Sequence, residues 1–201
     1  MACRKIREWP NDTLKKVSVE FDIGKDEQIY VDLIDTFRVS GGYGLSAPQI
    51  GFNSRVVIIN DSALHSDPSL EKELLMINPK VEVRKGKEVF KEACFSLPAI
   101  SLDVERSSEV EVSWTNLEGT LEKLWFSGYA AACVQHEIDH LDGIVTLDRV
   151  SQLRRRIVLK KVKKAKAGMA KRTGMTSEEK SKQKSLKTRK AKRLKRKAAK
   201  K

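Results

Sequence analysis

Apolar side chains recur in residues 25–39 at Ile29, Leu33, Ile34 and Phe37, a spacing that gathers them on one face of a helix. Ser40-Gly41-Gly42 follows, and glycine past the last turn is a common helix stop. The pattern then shortens. RVVIIN (55–60) and LLMINP (74–79) are β-branched, apolar runs, the second stopped by Pro79. VEVRKGKEVFKEACFS (81–96) reads as strand on both sides of Lys85-Gly86-Lys87. EVEVSW (109–114) alternates with period two, and TLEKLWF (120–126) follows an Asn-Leu-Glu-Gly turn. Strands this close, joined by short turns, predict antiparallel sheet in preference to strand–helix–strand units. YAAACVQHEIDHL (129–141) is rich in alanine, lacks Gly and Pro, and is stopped by Asp142-Gly143, so it predicts a helix. A second helix is predicted over 151–166, where Leu153, Ile157, Val158 and Val162 form a stripe among Arg and Lys. The expected organisation is an α+β domain over 1–150, a basic helix over 151–167, and a Lys/Arg-rich tail over 168–201. The tail holds too few large apolar groups to offset its chain entropy, so it is expected to be disordered in isolation.

Charge sharpens this division. The net charge of +13 is the sum of two opposed parts. Residues 151–201 hold 23 Lys/Arg against two acids, while residues 1–150 hold 17 basic and 25 acidic side chains. A mildly acidic body therefore carries a strongly basic end, and that end alone points to a polyanionic partner. No run approaches the length of a membrane span. No secretory or transit signal is evident, so a cytoplasmic protein is expected, with no membrane partner. Three cysteines at irregular spacing suit a reducing compartment better than a disulfide framework.

The strongest chemical signal is HEIDH (136–140). Residues four apart on a helix share a face, so the imidazoles of His136 and His140 reach one ion. Glu137 is turned about 100° from His136 and reaches the neighbourhood of that ion without displacing a ligand. Catalytic centres of this type use three protein ligands and leave a fourth position for water. Downstream lie Asp142, Asp148 and then almost only basic residues; upstream the candidate is Cys94, in EACFSLP at the end of a predicted strand. Cys133, one turn before His136, reads as a small packed apolar group. Cys3 and His65 carry no predicted role. GGYGLSAPQ lacks the endings of phosphate- and dinucleotide-binding loops.

Three motifs in order, GYGLSAPQ (42–49), EACFS (92–96) and QHEIDHLDG (135–143), together resemble those of the peptide deformylases. REWPNDTLKKVS (7–18) is similar to that family's opening segment, and the likeness runs from about residue 4 to about residue 165. The resemblance implies antiparallel sheets around a central helix that bears the metal site. It implies Cys94, His136 and His140 as ligands of one divalent ion, ferrous in most members, with Zn2+, Ni2+ or Co2+ able to replace it. It implies removal of the N-formyl group from formyl-methionyl nascent peptides by attack of metal-bound hydroxide. Glu137 would be the general acid/base, with the Gln49 amide and the Phe95 N–H as oxyanion donors. Gly44 would align the peptide backbone, and Tyr43, Tyr129, Ala132 and Cys133 would line the methionine pocket. The chain departs from the family at Ser46 (usually Ala), Ala93 (usually Gly) and Phe95 (usually Leu). Ser101 stands where many bacterial members carry a peptide-binding Arg. Arg106 falls at the family's structural Arg.

In bacterial members a basic C-terminal helix docks on the ribosome, and residues 151–166 resemble it. The expected partner of the basic end is therefore ribosomal RNA, with a passive solubilising tail as the alternative, and the expected state is a monomer. Two other readings compete at this stage. A zinc peptidase of the His-Glu-x-x-His type would need a downstream third ligand. An RNA-binding protein with a structural metal site would need four protein ligands.

Overall fold

The computed structural model describes residues 3–60 and 73–173, with side chains through residue 162. His65 and the tail beyond residue 173 lie outside the described residues. The chain divides after Arg155 into two units. Both sheets, the first three helices and the first turn of the fourth belong to the first unit.

Helix α1, Glu27–Ser40, follows the predicted stripe. Its Leu33 and Phe37 are buried, and Ile29 and Ile34 pack beside them. Strand β1, Gly44–Ser46, and a single helical turn α2, Ala47–Ile50, together form the glycine-rich motif. They are followed by β2, Val56–Asn60, and β3, Glu73–Lys85. β4 is Glu88–Ala93, β5 Ser101–Arg106, β6 Glu109–Thr115 and β7 Leu121–Ser127. Helix α3 is Gly128–Leu141 and α4 is Gln152–Thr173. Five strands form one antiparallel sheet in the order β1-β2-β3-β6-β7, and β4 pairs with β5 in a second.

The run Val56–Ile59 is uniformly apolar because β2 is covered on both faces. Val57 and Ile59 point toward α3, in a core completed by Met76, Val112, Trp114 and Phe126. Val56 and Ile58 point the other way, toward Leu33 and Phe37 of α1. α3 thus lies in the interior, and its alanines let it approach the sheet closely. Gly143 ends it at φ +71°, where a Cβ would lie 2.7 Å from the Lys15 carbonyl oxygen, so any side chain would push the two segments apart.

Two boundaries differ from the sequence reading. Pro79 does not stop β3. The strand bulges there, with Asn78 and Pro79 inserted between the pairs Ile77–Thr115 and Lys80–Ser113. A bulge leaves a residue outside the ladder, so the missing proline N–H costs nothing. Asn78 takes the left-handed conformation that asparagine tolerates, and its side chain bonds both the N–H and the carbonyl of Phe21. α4 continues to Thr173, past the boundary expected at residue 167. One glycine among lysines and alanines costs a helix only about 1 kcal/mol, too little to stop it alone.

Candidate metal centre

In β4 the buried positions alternate as Phe90 and Glu92, and Cys94 continues the inward series just past the strand. The thiol of Cys94 thereby meets α3. Its Sγ lies 3.3 Å from Nε2 of His140, and the donor atoms of Cys94, His136 and His140 all fall within 4.8 Å of one another. A tetrahedral centre with bonds of about 2.0–2.3 Å separates its ligand atoms by about 3.5 Å, close to what Cys94 and His140 show. All three side chains are buried. Burial pushes the Cys94 thiol up, but the neighbouring rings of His140 and His136 outweigh it and hold the group well below its usual range, the direction a thiolate ligand needs. One thiolate and two imidazoles fit a single divalent ion and leave a coordination position open.

The orientation of His136 is set from behind. Its Nδ1 lies 2.8 Å from Oε2 of Glu92. Burial raises the Glu92 pKa, yet hydrogen bonds from His136 and Arg106 prevail and bring it to about 2. An ionised carboxylate only accepts, so Nδ1 carries the proton and Nε2 is left free to ligate. Arg106 grips Glu92 through both oxygens, Nε–Oε1 at 2.7 Å and Nη2–Oε2 at 3.0 Å, and also pairs with Asp139. Asp139 in turn accepts from Arg149. Burial lowers the Arg106 pKa, but the two carboxylates more than reverse it.

Glu137 is 4 % exposed, and its Oε2 has no hydrogen-bond partner among the described residues. Burial raises its pKa above the usual carboxylate value, against the opposing pull of His136 and His140. Gly44 abuts it, since a Cβ there would sit 2.7 Å from Glu137 Cγ. Gln49 is fixed by Ser46, whose N–H and hydroxyl both donate to Oε1 at 2.9 Å. Its Nε2 therefore faces Cys94 Sγ (3.5 Å) and Ser96 Oγ (3.4 Å). The serine at position 46 thus adds a bond that alanine could not.

A cavity of about 440 Å³ opens onto this cluster. Every residue assigned from sequence to ligation, catalysis or the substrate pocket lines it, except His140, which lies beneath beside Cys94. At its mouth Tyr43 and Tyr129 are half exposed, their rings edge to face with centroids 5.2 Å apart. Ala93 sits in regular strand opposite Ser101 and not in a conformation that needs glycine. The sequence reading missed Glu92 and Asp139. Glu92 precedes Cys94 by two residues in a strand, and Asp139 follows His136 by three in a helix, so both share a face with a predicted ligand.

The family model described as "Polypeptide deformylase" matches residues 3–156. A peptide deformylase of Aquifex aeolicus is 38% identical over 163 residues, which cover 80% of this chain and 95% of that protein. Among solved structures, a peptide deformylase from Legionella pneumophila superposes with a TM-score of 0.74 at 30% identity, covering 84% of this chain and 98% of that one. A Met-Ala-Ser-bound class I type b peptide deformylase from Acinetobacter baumannii does so with a TM-score of 0.66 at 26% identity, covering 74% and 99%. The chain belongs to the polypeptide deformylase family.

Proposed function

We propose that this hydrolase removes the formyl group from the N-terminal formyl-methionine of nascent polypeptides, with Cys94, His136 and His140 holding one divalent ion. The observation that carries the reading is the meeting of Cys94 with His140 beside Glu137, which lines the cavity and whose Oε2 is buried without a hydrogen-bond partner among the described residues. A downstream ligand, as a zinc peptidase would need, is not required once Cys94 supplies the third donor. The ion expected is Fe2+, from the family; the donor set also accommodates Zn2+, Ni2+ or Co2+. When bound, such an ion supplies Lewis acidity, lowering the pKa of a water it holds to about 7.

The chain's own residues do the rest. Glu137 takes the proton of the attacking water at its free Oε2 and hands it to the departing amine. A carboxyl whose pKa is raised by burial suits both halves of that task. Gln49 Nε2 and the Phe95 N–H donate to the charge that develops on the formyl oxygen, and Ser46 keeps the Gln49 amide facing that way. Gly44 aligns the peptide backbone beside Glu137. Tyr43, Tyr129, Ala132 and Cys133 receive the methionine side chain. The Acinetobacter relative bound to Met-Ala-Ser supports a peptide of this kind as ligand.

The test is formate release from formyl-Met-Ala-Ser by the wild type and by Glu137→Ala. The wild type is expected to turn over, and the variant to fall by about 10²–10⁴-fold. A metal-loaded wild type that releases no formate, or that cuts internal peptide bonds instead, refutes the reading.

The second part of the proposal concerns the basic end. Its 23 cationic groups in residues 151–201 suit ribosomal RNA, and the site of action is then the cytoplasm, with the enzyme a monomer. No described helix is long and apolar enough to cross a membrane. The full chain is expected to co-sediment with ribosomes at low salt and to detach steeply as salt rises, while a chain ending at Arg156 stays in solution. Equal co-sedimentation of the two would sink this part.

A further inference from the structure

The segment before the first helical turn, Arg4–Trp9, has no regular structure of its own, yet it touches both motifs that supply the oxyanion donors. The Arg7 N–H donates to the Gln49 carbonyl at 2.7 Å, and the Trp9 N–H donates to the Ser96 carbonyl at 2.9 Å. Amides two residues apart face the same side of an extended chain, which lets one short segment reach two acceptors at once. Those acceptors belong to α2 and to the turn after Cys94, 47 residues apart in sequence. Gln49 is one proposed donor, and Ser96 directly follows the other, Phe95. Directly between α2 and that turn, the side-chain bonds all come from the Gln49 amide, whose Nε2 lies 3.4 Å from Ser96 Oγ, long for a hydrogen bond, and 3.5 Å from Cys94 Sγ.

The near end of the segment is tied down as well. The Arg4 N–H donates to Thr36 Oγ1 at 2.9 Å, and its Nε donates to Asp32 Oδ2 at 2.7 Å. Asp32 is fully buried in α1, so this ion pair anchors the segment to the core and not to a mobile surface. The Arg4 guanidinium also lies 5.2 Å over the Phe52 ring. Ile6 packs against the α1 side of the core.

We infer that residues 4–9 are a positioning strap: the backbone amides of Arg7 and Trp9 lock α2 to the Cys94–Ser96 turn and thereby set the spacing between the Gln49 and Phe95 donors. The inference rests on the deformylase reading. Donors aimed at charge that exists only in the transition state act on kcat more than on KM. Loosening the strap should therefore slow turnover while leaving peptide affinity and the metal ligands in place.

Arg7→Pro removes the first strap bond, and Arg7→Ala removes the same guanidinium but keeps the amide. With formyl-Met-Ala-Ser, kcat of the proline variant is expected to lie about 10- to 100-fold below that of the alanine variant. KM should differ between them by less than about threefold. Metal content per chain should be equal in the two. Equal kcat, a loss carried by KM, or a loss of metal overturns the strap. Amide hydrogen exchange on the wild-type full chain is a second measurement that does not depend on the variants folding. The Arg7 and Trp9 amides should be protected to the same degree as those of β2, and free exchange at either overturns the inference. An inactive wild type, in contrast, would count against the deformylase reading.

Discussion

Replacing Arg106 with methionine keeps much of the side-chain volume and removes the charge at the centre of the buried network. Arg106 and Glu92 are 4 % and 5 % exposed at their side chains, so neither is screened by water. Without Arg106, Glu92 keeps the His136 ring alone as a partner among the described residues, whereas Asp139 still has Arg149. Removing one member of a buried pair costs about 3–5 kcal/mol. The Glu92 carboxyl gives a separate scale. It is held at about 2 against an ordinary 4.5. At 1.36 kcal/mol per unit that is a net of about 3 kcal/mol, what remains after the bonds from His136 and Arg106 have overcome the cost of burial. We therefore expect Arg106→Met to lose about 3 kcal/mol, which for a chain of this size lowers Tm by roughly 6–12 °C. Arg106→Lys should fall between, since it restores the charge without the two-pronged geometry. Thermal unfolding followed by circular dichroism measures this, run once in chelator and once in excess metal. A mis-set His136 weakens metal binding by about 10–100-fold, so the loss should grow by about 1.4–2.7 kcal/mol when metal saturates the wild type. A loss below about 1 kcal/mol in both conditions would refute the reasoning.

Three further outcomes are expected. Gly44→Ala places a Cβ 2.7 Å from Glu137 Cγ and should displace that carboxyl, lowering kcat by about 100-fold and stability by about 1–3 kcal/mol, as read by formate release beside a melting curve. Removing metal with a chelator should abolish formate release and lower Tm, and adding back Fe2+, Ni2+ or Co2+ should restore both; activity that survives metal-free preparation would rule out the Cys94–His136–His140 centre. Asn78→Ala removes two hydrogen bonds to Phe21 and puts alanine at positive φ, so urea unfolding should show a loss of about 2–3 kcal/mol with activity per folded molecule unchanged.

The elements legible in the sequence are those whose cause is local. The period of α1, the alternation of β6 and the Ala-rich run of α3 each declare themselves within a dozen residues. β5 escapes notice because LDVER carries only two apolar positions, Leu102 and Val104, and its inward face, which includes Arg106, turns toward α3. β1 and α2 are too short to show a period at all. The stop read at Pro79 failed because a bulge removes the need for the N–H that proline lacks.

The site divides in the same way. Helical geometry alone puts His136 and His140 on one face with Glu137 beside them, so that part of the centre is written in five consecutive residues. The thiolate comes from 46 residues away and reaches His140 only because β4 packs on α3. Glu92, Arg106 and Asp139 look like ordinary strand and helix charges until that packing buries them together, where a lone charge would be too costly to keep. The sequence by itself named the groups proposed for the chemistry: helical spacing, a local property, gave His136, Glu137 and His140, and the motifs that resemble the family's gave Cys94, Gln49 and Phe95. Only the tertiary structure decided how those groups are held, because burial, the pKa values it shifts and the partners it forces together exist only once the chain has closed on itself.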